Sequence, residues 1–134
     1  MNQCIFVFRF KLNEKQRRVI QVLSDIHKIF RIKKISSVFK KTNSNVSTID
    51  EEMSFAILTE TTIALEQMLT VKNGLTERDF KFDLVVFNSE TQWTPDLPLP
   101  SPALKFDPLV LHCCAEVAPE YIHPILNESF RVLD

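Results

Sequence analysis

The sequence predicts an α+β protein, an antiparallel sheet with helices packed against it. Three observations carry that expectation. β-rich runs and stretches of helical apolar spacing follow one another in the order β-α-β-β-α-β, with one late helix after them. Polar or proline-rich turns separate these segments. The chain of 134 residues is 45% hydrophobic and holds eleven Phe, enough for one substantial core in a single domain spanning 1–134.

Taken in order, residues 4–10 alternate apolar and β-favouring side chains (Ile5, Phe6, Val7, Phe8) and read as a strand buried on at least one face. Asn13 offers an N-cap with Gln16 three residues on. Val19, Ile20, Leu23, Ile26 and Phe30 recur at helical spacing, so 14–30 is expected to be an amphipathic helix. Residues 32–41 form a second strand around Ile35, Val38 and Phe39, and the polar run 42–47 is a loop. Residues 53–62 make a third strand and 63–72 a short helix, with Gly74 just beyond as a C′ residue. Residues 80–87 alternate, with Phe80, Phe82, Leu84 and Val86 expected on one face. Pro95, Pro98, Pro100 and Pro102 keep the next stretch extended. Asp107 followed by Pro108 is an N-cap with proline at N1, starting a helix that runs to about Val117 before Pro119. This order is that of the ferredoxin-like split βαβ fold, with helices on one side of the sheet.

Gly74 is the only glycine, where average usage of about 7% would give roughly nine. A P-loop or a G-x-G-x-x-G dinucleotide turn needs several glycines close together, so both are excluded. The three cysteines, two of them adjacent, do not read as a disulfide framework and point to a reducing cytoplasm. The apolar run 4–8 is too short for a membrane span or a signal-peptide core. His112, Cys113, Cys114 and His123 lack metal-ligand spacing; the two cysteines are expected to be buried in a helix and His123 to belong to a turn. Trp93 is read as partly buried, with an exposed recognition role as the alternative.

The formal charge of −1 hides an asymmetry. Residues 1–41 hold eleven basic and two acidic side chains, a balance of +9, and residues 42–134 hold five and fifteen, a balance of −10. Two readings stand: the basic residues 9–41 form a surface for an acidic protein or nucleic acid, or the charges interleave within one domain.

The final third carries a recognisable pattern. The run Leu99-Pro100-Ser101-Pro102, then Leu109-Val110-Leu111 through Ala115-Glu116-Val117-Ala118-Pro119-Glu120 to His123-Pro124, resembles the 6-hydroxymethyl-7,8-dihydropterin pyrophosphokinase family of folate biosynthesis, which there reads approximately I-P-H-P-R-x-x-x-R-x-F-V-L-x-P-L-A-E-I-A-P-D-x-V-H-P. Arg78 and Phe80-Lys81-Phe82-Asp83-Leu84 resemble its R-x-L-D-L-D strand, Ser36-Ser37-Val38-Phe39 its S-S-x-Y segment, and Glu60-Thr61-Thr62-Ile63 its E-T-x-L helix entry. The resemblance implies a ferredoxin-like α+β sandwich that transfers diphosphate from ATP to a pterin alcohol. Its implied cofactors are ATP and Mg²⁺, its implied partners pterin and ATP. Two aspartates spaced D-x-D hold two Mg²⁺, His and Arg clamp the phosphates, and aromatics sandwich the pterin. Metals and cations matter because phosphoryl transfer develops heavy charge that the protein must neutralise.

Within that pattern the second metal aspartate is Asp83, whereas Lys81 stands at the first. An ammonium there repels Mg²⁺, and a Lys81–Asp83 pair on one strand face offers an internal cation in the ion's place. The clamping histidine is Ser101, and the two arginines are Ala103 and Asp107, the latter a charge reversal. The glycine and asparagine ending the first strand are Arg9 and Lys11, the pterin-stacking aromatic is Leu109, and the pterin-edge asparagine falls on Ser54. The long catalytic loop shrinks to residues 73–77, and a turn glycine becomes Asn127, a residue that tolerates left-handed backbone. The expected site is therefore a remnant: Arg78 and Asp83 for catalysis, Lys81 and Lys105 for phosphate, Asp83 for any metal. An impaired or inactive relative of the transferase is expected, with the non-enzymatic interaction module as the alternative.

Overall fold

The structure, a computed structural model, describes residues 1–11, 16–40, 52–75 and 80–134. Asn13, the loop 42–47 and Arg78 lie outside the described residues. The strands are β1 (Asn2–Lys11), β2 (Arg31–Ile35), β3 (Phe39–Lys40), β4 (Glu52–Thr61) and β5 (Phe80–Phe87). The helices are α1 (Gln16–Ile29), α2 (Leu65–Leu75), α3 (Ala103–Phe106), α4 (Pro108–Val117) and α5 (Phe130–Leu133). The sheet runs β2-β4-β1-β5 with β3 also beside β4, and its strand pairs are antiparallel. β2 and β3 are two halves of one expected strand, so the described elements follow the ferredoxin-like β-α-β-β-α-β plan.

The long, regular register of β1 against β4 (Asn2 opposite Thr61 through Lys11 opposite Glu52) sorts alternate residues to two cores. On the first face Phe6, Phe8, Phe55, Ile57, Phe82 and Leu84 pack under Val22, Ile26 and Phe30 and under Met68 of α2. The Phe6 and Phe82 rings stack at 4.5 Å, and Phe8 lies 4.9 Å from Phe55. On the second face Ile5, Val7, Ala56, Val85 and Val86 meet Leu104 of α3, the α4 residues Val110, Cys113, Cys114 and Val117, and Phe130 of α5. Helices thus cover both faces rather than one.

Several expectations are corrected. Val86 does not share a face with Phe82 and Leu84: a register shift pairs Ile5 with Val86 but Phe6 with Leu84, leaving Val85 as the extra residue. Val85 and Val86 both reach the second core, and Phe87 returns to the first. In α1 Val22 is buried alongside Ile26, and Ile20 is exposed. The second strand breaks at 36–38 because polar side chains take over its backbone pairing. The Ala56 N–H donates to the Ser36 hydroxyl at 2.8 Å, and the Ser37 N–H and hydroxyl both donate to Glu116 at 2.7 Å. Gly74 lies within α2 with an ordinary φ rather than after it. The proline-rich stretch gives way to α3 at once, with Pro102 as its N-cap. Trp93 is 81% exposed.

Other features match their expectation. α4 starts at Pro108, capped by Asp107, whose carboxylate accepts the Leu109 N–H at 3.1 Å, and it ends at Val117. Asn127 has φ 58°. The turn it closes is organised by His123: the Nδ1 atom accepts the N–H groups of Ile125 and Leu126 at 3.2 and 3.1 Å, and burial holds the imidazole below its ordinary pKa. Tyr121 donates its hydroxyl to the Asn88 carbonyl, fastening this unit to the end of β5, and burial pushes that phenol up to about 12.

Candidate functional site

Strand register decides which side chains meet. Val7 pairs with Asp83 and Arg9 with Lys81, so Arg9, Lys81 and Asp83 project from the same face of the sheet as Val7, the face under α4. Ser54 lies opposite Arg9 on the other neighbouring strand and is buried. Where the central part of this face is apolar, its end carries charge, and α4 begins over it. Asp107, the helix cap, thereby faces Arg9.

The resulting cluster centres on Arg9. Its Nη2 donates to Asp83 Oδ2, and Nη1 lies 4.0 Å from Asp107 Oδ2, an ion-pair distance rather than a hydrogen bond. Lys72 Nζ of α2, which packs on the other face, lies 3.9 Å from Asp83 Oδ1. Arg9 Nε is buried with no hydrogen-bond partner among the described residues. All four side chains are about one-fifth to one-third exposed, so this is a half-buried network of two cations and two carboxylates. The internal cation beside Asp83 is therefore Arg9 from the neighbouring strand and not Lys81. Lys81 is exposed and forms no ion pair among the described residues.

The remaining expected positions scatter around this cluster. Ser101 serves the fold. Its N–H donates to the Val85 carbonyl at 2.8 Å, and its hydroxyl accepts the Ala103 N–H at 3.2 Å at the start of α3. Lys105 is exposed, its Nζ 5.8 Å from the centre of the exposed Phe106 ring. Leu109 is half-buried. Arg78 lies outside the described residues.

These residues do not fit a divalent-cation centre. Mg²⁺ asks for several oxygens in near-octahedral array. Here one carboxylate of the D-x-D pair is a lysine, and the other is engaged by a guanidinium. No group of three or more His, Cys, Asp or Glu side chains able to hold a metal ion occurs among the described residues. Nucleophilic thiols are also absent from this surface: Cys4, Cys113 and Cys114 are buried, and desolvation lifts Cys4 and Cys113 to about 12 and Cys114 well above its ordinary value.

Four of the five basic residues of 9–41 whose side chains are described lie within 4.0 Å of an acid. Arg9 meets Asp83 and Asp107, Lys28 lies 3.8 Å from Asp25, and Arg31 and Lys33 lie 4.0 and 3.0 Å from Glu60. The Lys33 ammonium, hydrogen-bonded to Glu60, holds that carboxyl below its ordinary pKa. A surface hollow of about 310 Å³, lined in part by Gln3, Ile5, Leu58 and Tyr121, sits at the opposite end of β1 from Arg9. No helix among the described residues is long and apolar enough to cross a membrane.

The sequence shows both charge changes, at position 9 and at position 107, but nothing local joins them. The signal joining them is the register: residues 9 and 83 lie two steps apart across adjacent antiparallel strands, and position 107 is the helix start that packs above them.

No protein-family model matches the chain, and no curated protein matches it. Solved structures do. The HPPK-DHPS of Plasmodium falciparum in complex with pteroate is similar at 12% identity and a TM-score of 0.79, over 98% of this chain and 41% of that one. The wild-type enzyme without a named ligand gives 12% and 0.78 over 98% and 44%, and an S436F/A437G/A613S triple mutant with SDX-DHP gives 13% and 0.77 over 98% and 43%. This chain thus spans about two-fifths of the length of the structures it matches. At such identities the likeness concerns the fold, which is HPPK-like, the fold of the pterin pyrophosphokinases resembled in sequence.

Proposed function

We propose that this chain is a divergent relative of the pterin pyrophosphokinases that keeps their scaffold in the cytoplasm and has lost diphosphate transfer from ATP. The observation that carries the reading is the Arg9–Asp83–Asp107 cluster. Diphosphate transfer depends on cations gathered around the phosphates, because the reacting oxygens are already anionic and the protein has little covalent work to do. At this site the positions that supply metal ligands and phosphate clamps in the resembled family hold Lys81, Asp83, Ser101 and Asp107, and the charges of the cluster are paired with one another. A carboxylate at position 107 repels a polyphosphate where a guanidinium would attract it.

Pterin is the first ligand to test, since the structural likeness includes an HPPK-DHPS solved with pteroate. The reading is tested by incubating the full chain with ATP, Mg²⁺ and 6-hydroxymethyl-7,8-dihydropterin and quantifying AMP by chromatography. No AMP above the protein-free blank is the expected result. AMP formation that falls in Asp83→Asn would overturn it, and would return Arg78 and Asp83 to catalytic roles, Lys81 and Lys105 to phosphate contacts, and Asp83 to metal binding.

A further inference from the structure

Among the described residues the charges around Arg9 balance. Asp83 comes from β5 and Asp107 from the start of α4, and β1 sets the Arg9 guanidinium against both. Lys72 arrives at the second oxygen of Asp83. Among the described residues, two cations and two carboxylates meet here in equal number. A divalent ion entering the cluster would bring two positive charges to within a few ångströms of a guanidinium, with no free carboxylate among the described residues to replace its lost water. Without Arg9 the balance is −1, and with an acid in its place it is −2, the charge that a divalent ion neutralises.

We propose that Arg9 is this protein's own substitute for a divalent cation: its guanidinium closes a cation site whose ligands are Asp83 and Asp107, and thereby keeps Mg²⁺ and Mn²⁺ out. The inference rests on the functional reading above only for the family with which the position is compared. Arg9 is in these terms a positioning residue. It ties three elements, β1, β5 and α4, through contacts of its two terminal nitrogens with Asp83 and Asp107, while its buried Nε has no hydrogen-bond partner among the described residues.

The test uses the full chain and Mn²⁺, read by electron paramagnetic resonance and by the unfolding temperature. The wild type is expected to bind no Mn²⁺ at millimolar concentration and to keep its Tm in EDTA. Arg9→Asp, with three carboxylates from three elements, is expected to bind one Mn²⁺ and to gain about 5 °C in Tm when the ion saturates it. Adding Asp83→Asn to that variant should abolish both signals. Arg9→Met should lower Tm without creating a metal response of that size. If Arg9→Asp folds poorly, Arg9→Gly replaces it and must show Mn²⁺ binding above the wild type. Mn²⁺ bound by the wild type and lost in Asp83→Asn would overturn the proposal, and so would a folded acidic or glycine variant that ignores Mn²⁺. AMP formation by a wild type that binds no Mn²⁺ would end the functional reading alone, since the metal signals are measured without nucleotide.

Discussion

Under α1 and α2 the sheet presents rings, Phe6, Phe8, Phe55 and Phe82, whereas under α3, α4 and α5 it presents Ile5, Val7, Ala56, Val85 and Val86 against valines and thiols. The margins differ as much as the centres. At the margin of the aromatic face the polar ties go to backbone carbonyls, from Asn2 to Ile63 and from Gln92 and Thr94 to Leu97. The aliphatic face is fastened by polar ties: Ser37 to Glu116, Tyr121 to Asn88, the His123 turn, and the Arg9 network. Burial of each ring is worth roughly 1.5–3 kcal/mol and is non-directional, so the aromatic face supplies stability, while the other supplies directional contacts that specify where its helices sit.

Removing a ring from the aromatic face should give the largest effect. Phe8 lies 4.9 Å from Phe55 and 4.6 Å from Phe82 and is fully buried. Phe8→Ala is expected to cost about 3–5 kcal/mol, the lost transfer energy plus the cavity, measured by urea unfolding. A loss below about 1 kcal/mol would mean that the two faces do not differ as described.

Acid should loosen the other face next. Burial lowers the His123 pKa below 6.5, and its Nδ1 is committed as an acceptor. Because the folded value is depressed, the unfolded chain takes up the proton first. The contribution is therefore complete above pH 6.5 and is lost as the pH falls beneath it. Urea midpoints at about pH 7.5 and about pH 5.5 should differ more in the wild type than in His123→Asn, while Phe8→Ala should leave the pH slope as it was. An equal slope in His123→Asn would remove this turn from the polar fastening.

The smallest effect belongs to the helix layer over the rings. Gly74 sits in the last turn of α2 with no positive φ, and a Cβ added there would meet nothing within 4 Å. Gly74→Ala should stabilise by about 0.5 kcal/mol, chiefly by restricting the unfolded chain, and a calorimetric Tm that falls would show that the helix end needs glycine.

Much of this architecture is legible as periodicity. The alternation in β1 and the Asp107-Pro108 start of α4 are local signals with local causes, and both elements form where those signals lie. What escapes a sequence reading depends on partners distant along the chain. Nothing within residues 80–87 announces that Val85 is the extra residue, because the shift exists only against β1. Ser36 and Ser37 divert their strand by bonding to Ala56 and Glu116. Gly74 resembles a helix stop because that is the commonest use of glycine near a helix end, yet α2 runs through it. For the site, residue types at single positions announce that its chemistry has changed, but which cation meets Asp83 follows from neighbouring strands. Lys81 is the nearer residue in sequence, and Arg9 is the one that reaches the carboxylate.

The two rims of the sheet have a consequence for association. A sheet ends in strands whose outer N–H and C=O groups are templates for another chain. On β5, the Val85 carbonyl is already taken by the Ser101 N–H. On β2, Arg31, Lys33 and Lys34 are exposed along the outermost strand. A second copy approaching that rim would align like charges at the ~4.8 Å spacing of paired strands. One border gives a carbonyl to the chain's own Ser101 and the other carries a row of cations, and both features work against the addition of a further strand of the same kind.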